Sequence, residues 1–268
     1  MARLLSTVLI LFVVACSGGG RDDGAVVSRV DAADRGDGML LAAAAKRSVV
    51  PTQAQIDGEA EPRLGGATTV QNFHLGGFGV GPLQNFPDPI NVDLTEPAGA
   101  PVYFNEKGRP EETWLRLMML VDTASGVSVV FVSLDAVGAG NNIQNNLKAA
   151  ISEVTGIAPD NILFGQTHSH AGADLQGLWG GVPQSWIDEL YAKAAAAAVQ
   201  AQAELQPVLL EYRQSELEQY NNYRRPRVFR DIDADTTATV LQAVNPASGK
   251  PVGTLLQYNA HPTSIGAG

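Results

Sequence analysis

Only one cysteine, Cys16, occurs in the 268 residues. No intrachain disulfide can form and no all-thiolate metal site can be built, so any metal has to be held by His, Asp, Glu or Tyr. Aromatic residues make up 6% of the chain, and none occurs between Phe12 and Phe73. Basic residues are outnumbered, Lys and Arg 18 against Asp and Glu 28, for a net charge of -10. The positive footprint that grips a nucleic-acid backbone is missing, which excludes nucleic acid as the expected partner. No segment after the N-terminal fifteen has the roughly eighteen uninterrupted apolar residues needed to span a bilayer. What is present, 45% hydrophobic and 17% charged residues, suffices for one large α/β domain or two small ones.

The N-terminus carries an export signature. Arg3 supplies a positive charge, and Leu4 to Ala15 is apolar except for Ser6 and Thr7, the length and layout of a signal peptide. The stretch ends in Val13-Val14-Ala15-Cys16 followed by Ser17 and three glycines. It resembles the lipobox of bacterial lipoproteins, in which the cysteine is acylated and becomes the new N-terminus. The alternative is an ordinary secretory signal with an incidental cysteine, and both readings export the chain. The expectation is a signal peptide over 1–15, a flexible tether over 16–38 poor in aromatic and large aliphatic residues, and a folded domain over 39–268. Its expected location is the bacterial cell envelope, held to the membrane through a lipid on Cys16.

Periodicity then predicts the elements. Met39 to Val50 reads as a short helix or an entering strand, closed by Pro51. Phe73 to Pro101 is rich in Gly and Pro and reads as a long loop of the kind that lines a site. Trp114 to Val121 and Val127 to Leu134 form a hairpin around a Gly-containing turn. Ile143, Leu147, Ile151 and Val154 recur at helical spacing, with Gly156 placed as a C-terminal cap. Asn161 to Gln166 reads as a strand. An Ala-rich helix over Trp186 to Leu205 begins with Ser185 and Asp188 spaced as a capping box. Val208 to Arg213, Thr237 to Val244 and Val252 to Asn259 are further strands, the last two a hairpin. Hairpins mixed with helical crossovers predict an α/β fold, a mixed sheet core covered by helices.

The chemistry lies in four histidines, His74, His168, His170 and His261. His168 and His170 follow the strand ending at Gln166, and in an extended backbone residues two apart share a face. His261 follows another predicted strand, so a sheet would bring it beside the pair. His-x-His with a distant third His is a donor set for catalytic zinc with an open position for water. The same histidines also suit buried hydrogen-bonding roles. The first acid after the pair is Asp174, not the acid two residues on that β-lactamase-like metallohydrolases require. Too little chain follows His170 for the remaining units of an amidohydrolase barrel. Asp135 and Asp174, both at strand ends, fit either orientation of a ligand histidine or the capping of a turn. Trp179 fits either a lipid contact or packing under the next helix. His74 reads as structural. Arg224 to Arg230, with four arginines, reads on its own as a solvated loop.

Taken together, Thr167-His-Ser-His-Ala-Gly-Ala173 and His261-Pro-Thr-Ser264 resemble the two histidine motifs of the neutral, non-lysosomal ceramidases, zinc amidases that cut the N-acyl bond of ceramide. Asn221-Asn-Tyr-Arg224-Arg225-Pro226 is similar to the family's Asn-Arg-Ser segment. Ala-Lys-Arg-Ser-Val-Val-Pro51-Thr52 is similar to its opening strand, and Gly76 to Gly81 to its glycine loop. The resemblance implies zinc held by His168 and His261, His170 as a substrate or neighbouring contact, and Arg224 or Arg225 on the substrate head group. A Glu, a Tyr and a serine complete the family's site beyond the point where this chain ends at Gly268. The chain is therefore expected to be the N-terminal portion of the catalytic domain, binding zinc weakly and turning over lipid amide poorly by itself. A non-catalytic surface lipoprotein that keeps the fold to bind a ligand, or a zinc esterase or lactonase, are the other functions these residues allow.

Overall fold

The structure, a computed structural model, describes residues 10–11, 26–30, 38–52, 54–55, 61–62, 69–70, 73, 113–170, 172–177, 181–217 and 235–260. The first strands are β1 (Ile10–Leu11), β2 (Val26–Val30), β3 (Leu40–Ser48), β4 (Glu61–Pro62) and β5 (Thr69–Val70). Next come β6 (Trp114–Asp122), β7 (Val127–Leu134), β8 (Ala136–Ala139), helix α1 (Asn141–Thr155), β9 (Ile162–Gln166) and β10 (Ala173–Leu175). Helix α2 (Gln184–Ala203) leads to β11 (Gln206–Pro207), β12 (Leu209–Glu216), β13 (Thr237–Val244) and β14 (Pro251–Tyr258).

Two five-stranded sheets organise these elements, in the orders β11-β3-β6-β7-β9 and β1-β14-β13-β12-β2. The first is mixed, since β7 and β9 run parallel while its other pairs are antiparallel. The α/β class and the mixed sheet covered by helices are as the sequence predicts. A second sheet behind the first is an addition to that expectation. Strand alternation separates two cores. Leu115, Leu117, Met119, Val130, Val132 and Leu134 pack under the helices with Ile143, Leu147, Ile151, Ile187 and Leu190. Met118 and Ala42 point the other way, against Val208, between β11 and β12, and Ala243 of the second sheet. Gly253 stands where β14 meets the first sheet, and an added Cβ there would lie 2.7 Å from Met118 Sδ.

Most element assignments survive with shifted ends. Met39 to Val50 resolves as strand β3, because its alanines pair along the whole of β6, from Leu40 opposite Asp122 to Ser48 opposite Trp114. That long-range pairing outweighs the helical preference of an alanine run. The 114–134 hairpin turns through Gly126 at φ +71. Gly156 ends α1 at φ +73, its N–H donating to the Ser152 carbonyl. Val154, though in helical phase, is exposed. The capping box on α2 is corrected. Pro183 is the N-cap and no side chain caps the end, so Ser185 falls inside the first turn. Asp188 instead accepts from Gln184 Nε2 at 2.8 Å. The proline fixes the entry two residues earlier than the capping pattern suggested, at Gln184 and not Trp186.

Within the stretch read as a tether, Val26–Val30 pairs antiparallel with β12, as its three valines favour. Ile10–Leu11, in the apolar N-terminal stretch, pairs with β14.

Candidate functional site

Strand β9 ends with Gln166 in register with Leu134, the last residue of β7. One further ladder bond, Thr167 N–H to the Leu134 carbonyl at 3.0 Å, carries the chain to the motif. His168 then adopts φ +56, and it is the sole non-glycine residue in positive φ among the described residues. A side chain in this region costs on the order of 1–2 kcal/mol and persists where its surroundings hold it, a pattern concentrated at functional sites. What holds it is a hydrogen bond: His168 Nδ1 lies 2.6 Å from the Val137 carbonyl oxygen. A carbonyl can only accept, so Nδ1 carries a proton, and in the neutral ring the lone pair is then on Nε2.

The His170 ring meets that of His168 edge to face, with centroids 5.1 Å apart and planes at 88°. The two imidazoles converge as the sequence predicts, but by a left-handed turn and not by extended alternation. Gly172 N–H donates to the Ser169 carbonyl at 3.1 Å and closes that turn. The chain then enters β10, which pairs in parallel with β8. Beside the histidines, Gln166 Nε2 and Thr167 Oγ1 are buried and make no hydrogen bond. Each such atom costs about 1–3 kcal/mol unless a bound group answers it.

Asp135 is committed to β6. Asp135 Oδ1 accepts from Arg116 Nη1 at 2.8 Å, and its Oδ2 accepts from the Trp114 N–H at 2.9 Å. It pins the corner between β7 and β8 to β6. Asp174 is buried and gathers the backbone N–H groups of Gln176, Gly177 and Gly181 at 3.2, 2.9 and 2.9 Å. This is the turn-organising role that aspartates in loops commonly play. The group that orients His168 is the Val137 carbonyl, which no side-chain motif announces. Between the starts of α1 and α2 a cleft of about 430 Å³ opens at the carboxyl ends of β8 and β10. Asn141, Ile143, Leu175, Gln176 and Val182 are among its walls. Parallel strand ends meeting helix N-termini are where open α/β sheets place ligands.

Strand β14, which leads toward His261, belongs to the second sheet, whereas β9 belongs to the first. The two strands that lead to the histidines are therefore not neighbours in one sheet, as the sequence reading expected, while His261 itself lies outside the described residues. β9 was recruited by parallel pairing to β7, and β14 by its hairpin with β13. The end of β14 is tied down by Tyr258 Oη donating to the Leu217 carbonyl at 2.8 Å and by Asn259 bonded to Asp235. Burial, then the Asp235 and Glu216 carboxylates, pushes the Tyr258 phenol above its ordinary range. His261, Arg224, Arg225, His74, Trp179 and Cys16 lie outside the described residues.

For zinc, the donor chemistry of His168 fits. Its Nδ1–H is donated to a backbone carbonyl, the usual arrangement around a histidine that ligates through Nε2. Among the described residues no group of three or more His, Cys, Asp or Glu gathers to complete a site. The described part thus supplies an imidazole pair.

No protein-family model matches the chain, and no curated protein does. Solved structures do. A neutral ceramidase from Pseudomonas aeruginosa matches with a TM-score of 0.59 and 19% identity over 86% of this chain and 33% of that one. A ceramidase complexed with C2 matches with a TM-score of 0.55 and 18% identity over 80% of this chain and 30% of that one. The chain spans about a third of the length of these proteins and shares the mixed α/β fold of that portion of their structure.

Proposed function

We propose that this chain is part of a zinc-dependent hydrolase of the neutral ceramidase type, cleaving the N-acyl amide of ceramide or a related lipid amide. The observation that carries the reading is the His168–His170 pair, with Nε2 of His168 set up as a donor by the Val137 carbonyl, on a fold like that of the ceramidases. His168 and His261 would hold zinc. When bound, zinc polarises an amide carbonyl and lowers the pKa of its water. His170, packed against the His168 ring, would hold a proton or contact the amide. Arg224 or Arg225 would contact the head group. The buried Gln166 Nε2 is a donor suited to a carbonyl or water oxygen. Export and attachment to the membrane through an acylated Cys16 would place the enzyme at its lipid substrate.

The test measures zinc retained after dialysis and hydrolysis of a fluorescent ceramide by the protein as its gene encodes it, beside its His168→Ala variant. Loss of both bound zinc and hydrolysis in the variant is expected. Hydrolysis that persists in the variant and in the presence of a chelator refutes the proposal.

A further inference from the structure

We propose that Gly172 is a positioning residue for the histidine pair: its missing side chain is what lets the turn carrying His168 dock against β8, so that the Val137 carbonyl fixes the imidazole as the Nδ1–H tautomer. The inference deepens the reading of His168 as a donor through Nε2 and rests on it.

Gly172 does not need to be glycine for its backbone angles, since it is absent from the positive-φ residues among those described. It needs to be glycine for room. A Cβ built there would lie 2.5 Å from the Asp135 carbonyl oxygen, 2.8 Å from Ala136 Cα and 2.9 Å from the Asp135 carbonyl carbon. All three are backbone atoms, so no rotamer change relieves the clash. The wall they form is itself held on several sides. Asp135 N–H donates to the Trp114 carbonyl at 3.0 Å, the Asp135 carboxylate binds Arg116 and the Trp114 N–H, and Ala136 pairs with Ala173. The turn must therefore yield before β8 does. Gly172 is bonded to Ser169, the residue next to His168, so a retreat of the turn draws His168 away from Val137. N–H···O hydrogen bonds lie at about 2.7–3.2 Å and a contact at about 3.6 Å is no longer one, so a retreat of about 1 Å breaks the bond that now stands at 2.6 Å.

The experiment uses the metal-free protein at about pH 8.5, where imidazoles are neutral, and reads the ring ¹⁵N shifts of His168. The wild type is expected to show the Nδ1–H tautomer. Gly172→Ala is expected to shift the ring toward the Nε2–H form that a free imidazole prefers, and to weaken zinc binding by about 10–100-fold, as loss of a ligand-orienting bond does. Gly156→Ala is the control. It strains the end of α1, at φ +73 with nothing within 4 Å of the added carbon, and should lower Tm while leaving the His168 signature unchanged. A folded Gly172→Ala protein that keeps the Nδ1–H tautomer overturns the proposal. Where Gly172→Ala does not fold, Arg116→Met frees the Asp135 corner instead. A partial shift of the tautomer is then expected, and no shift overturns the proposal. Failure of the wild type to cleave lipid amides would refute the proposed function and leave this tautomer result standing, so the two outcomes are separable.

Discussion

Replacing Trp186 by Phe tests how the start of α2 is locked to the sheet. Trp186 is 2% exposed, and its Nε1–H donates to the Val49 carbonyl at 2.9 Å. Its ring stands edge to face with Phe73, centroids 5.2 Å apart and planes at 75°. Phenylalanine keeps an aromatic ring but has no donor. The Val49 carbonyl then sits buried without its partner, which costs about 1–3 kcal/mol. The smaller ring leaves unfilled space worth about 1 kcal/mol. The contact with Phe73, itself worth about 0.5–1.5 kcal/mol, is partly kept. The variant should therefore lose about 2–4 kcal/mol, a large part of the roughly 5–15 kcal/mol available to a domain. Urea denaturation followed by far-UV circular dichroism measures it, because that signal does not depend on the tryptophan removed. A cycle with Phe73→Leu isolates the ring pair, with a coupling of about 0.5–1.5 kcal/mol expected. A loss below about 1 kcal/mol for Trp186→Phe would show that the Val49 carbonyl finds another donor, and the argument from buried polar satisfaction would fail at this corner.

Gly253→Ala should cost about 1 kcal/mol and Gly253→Val about 2–3 kcal/mol, since the added carbon meets the flexible Met118 thioether first and Ala44 Cβ, at 3.3 Å, next; equal denaturation midpoints for both would refute the close approach of the sheets. Glu189 is held below its usual pKa, first by the hydrogen bond from Lys193, whose Nζ is 2.7 Å away, and also by Gln55. A depressed carboxylate stabilises the fold above its unfolded pKa of about 4.3 and loses that contribution as pH falls through the lower folded value. Glu189→Gln should thus flatten the acid limb of Tm against pH, and an unchanged limb would count against the pair. Cys16→Ser should move the protein from the detergent phase to the aqueous phase in a partition assay, and unchanged partition would rule out the lipid anchor.

The sequence made the elements legible where a side chain's role is local. The hairpin around Gly126 and the glycine that ends α1 follow from φ > 0 at a turn and a helix cap, and the run Ile143, Leu147, Ile151 from a helix with one buried face. The alanine run of β3 was undecided in sequence because alanine favours helix while its partner strand lies more than sixty positions away. The capping box misled for a related reason, since Pro183 imposes its own geometry whatever follows it.

At the site, His168 and His170 were visible as a motif, because imidazole is scarce in this chain and two of them two apart are conspicuous. The aspartates were visible too, but not their partners. Asp135 serves Trp114 and Arg116, and Asp174 serves its own loop, since a carboxylate binds whichever donors folding brings to it. The sequence by itself determined the histidine pair, the mixed α/β class and the type and approximate place of most helices and strands, all of which depend on residue type and on neighbours within a few positions. Tertiary structure alone decided that β9 and β14 belong to different sheets, that a carbonyl 31 positions away holds His168, and that Gly172 has no room for a methyl group. Those facts depend on strand register and on backbone atoms, which are chemically the same at nearly every residue and so leave no mark in the sequence.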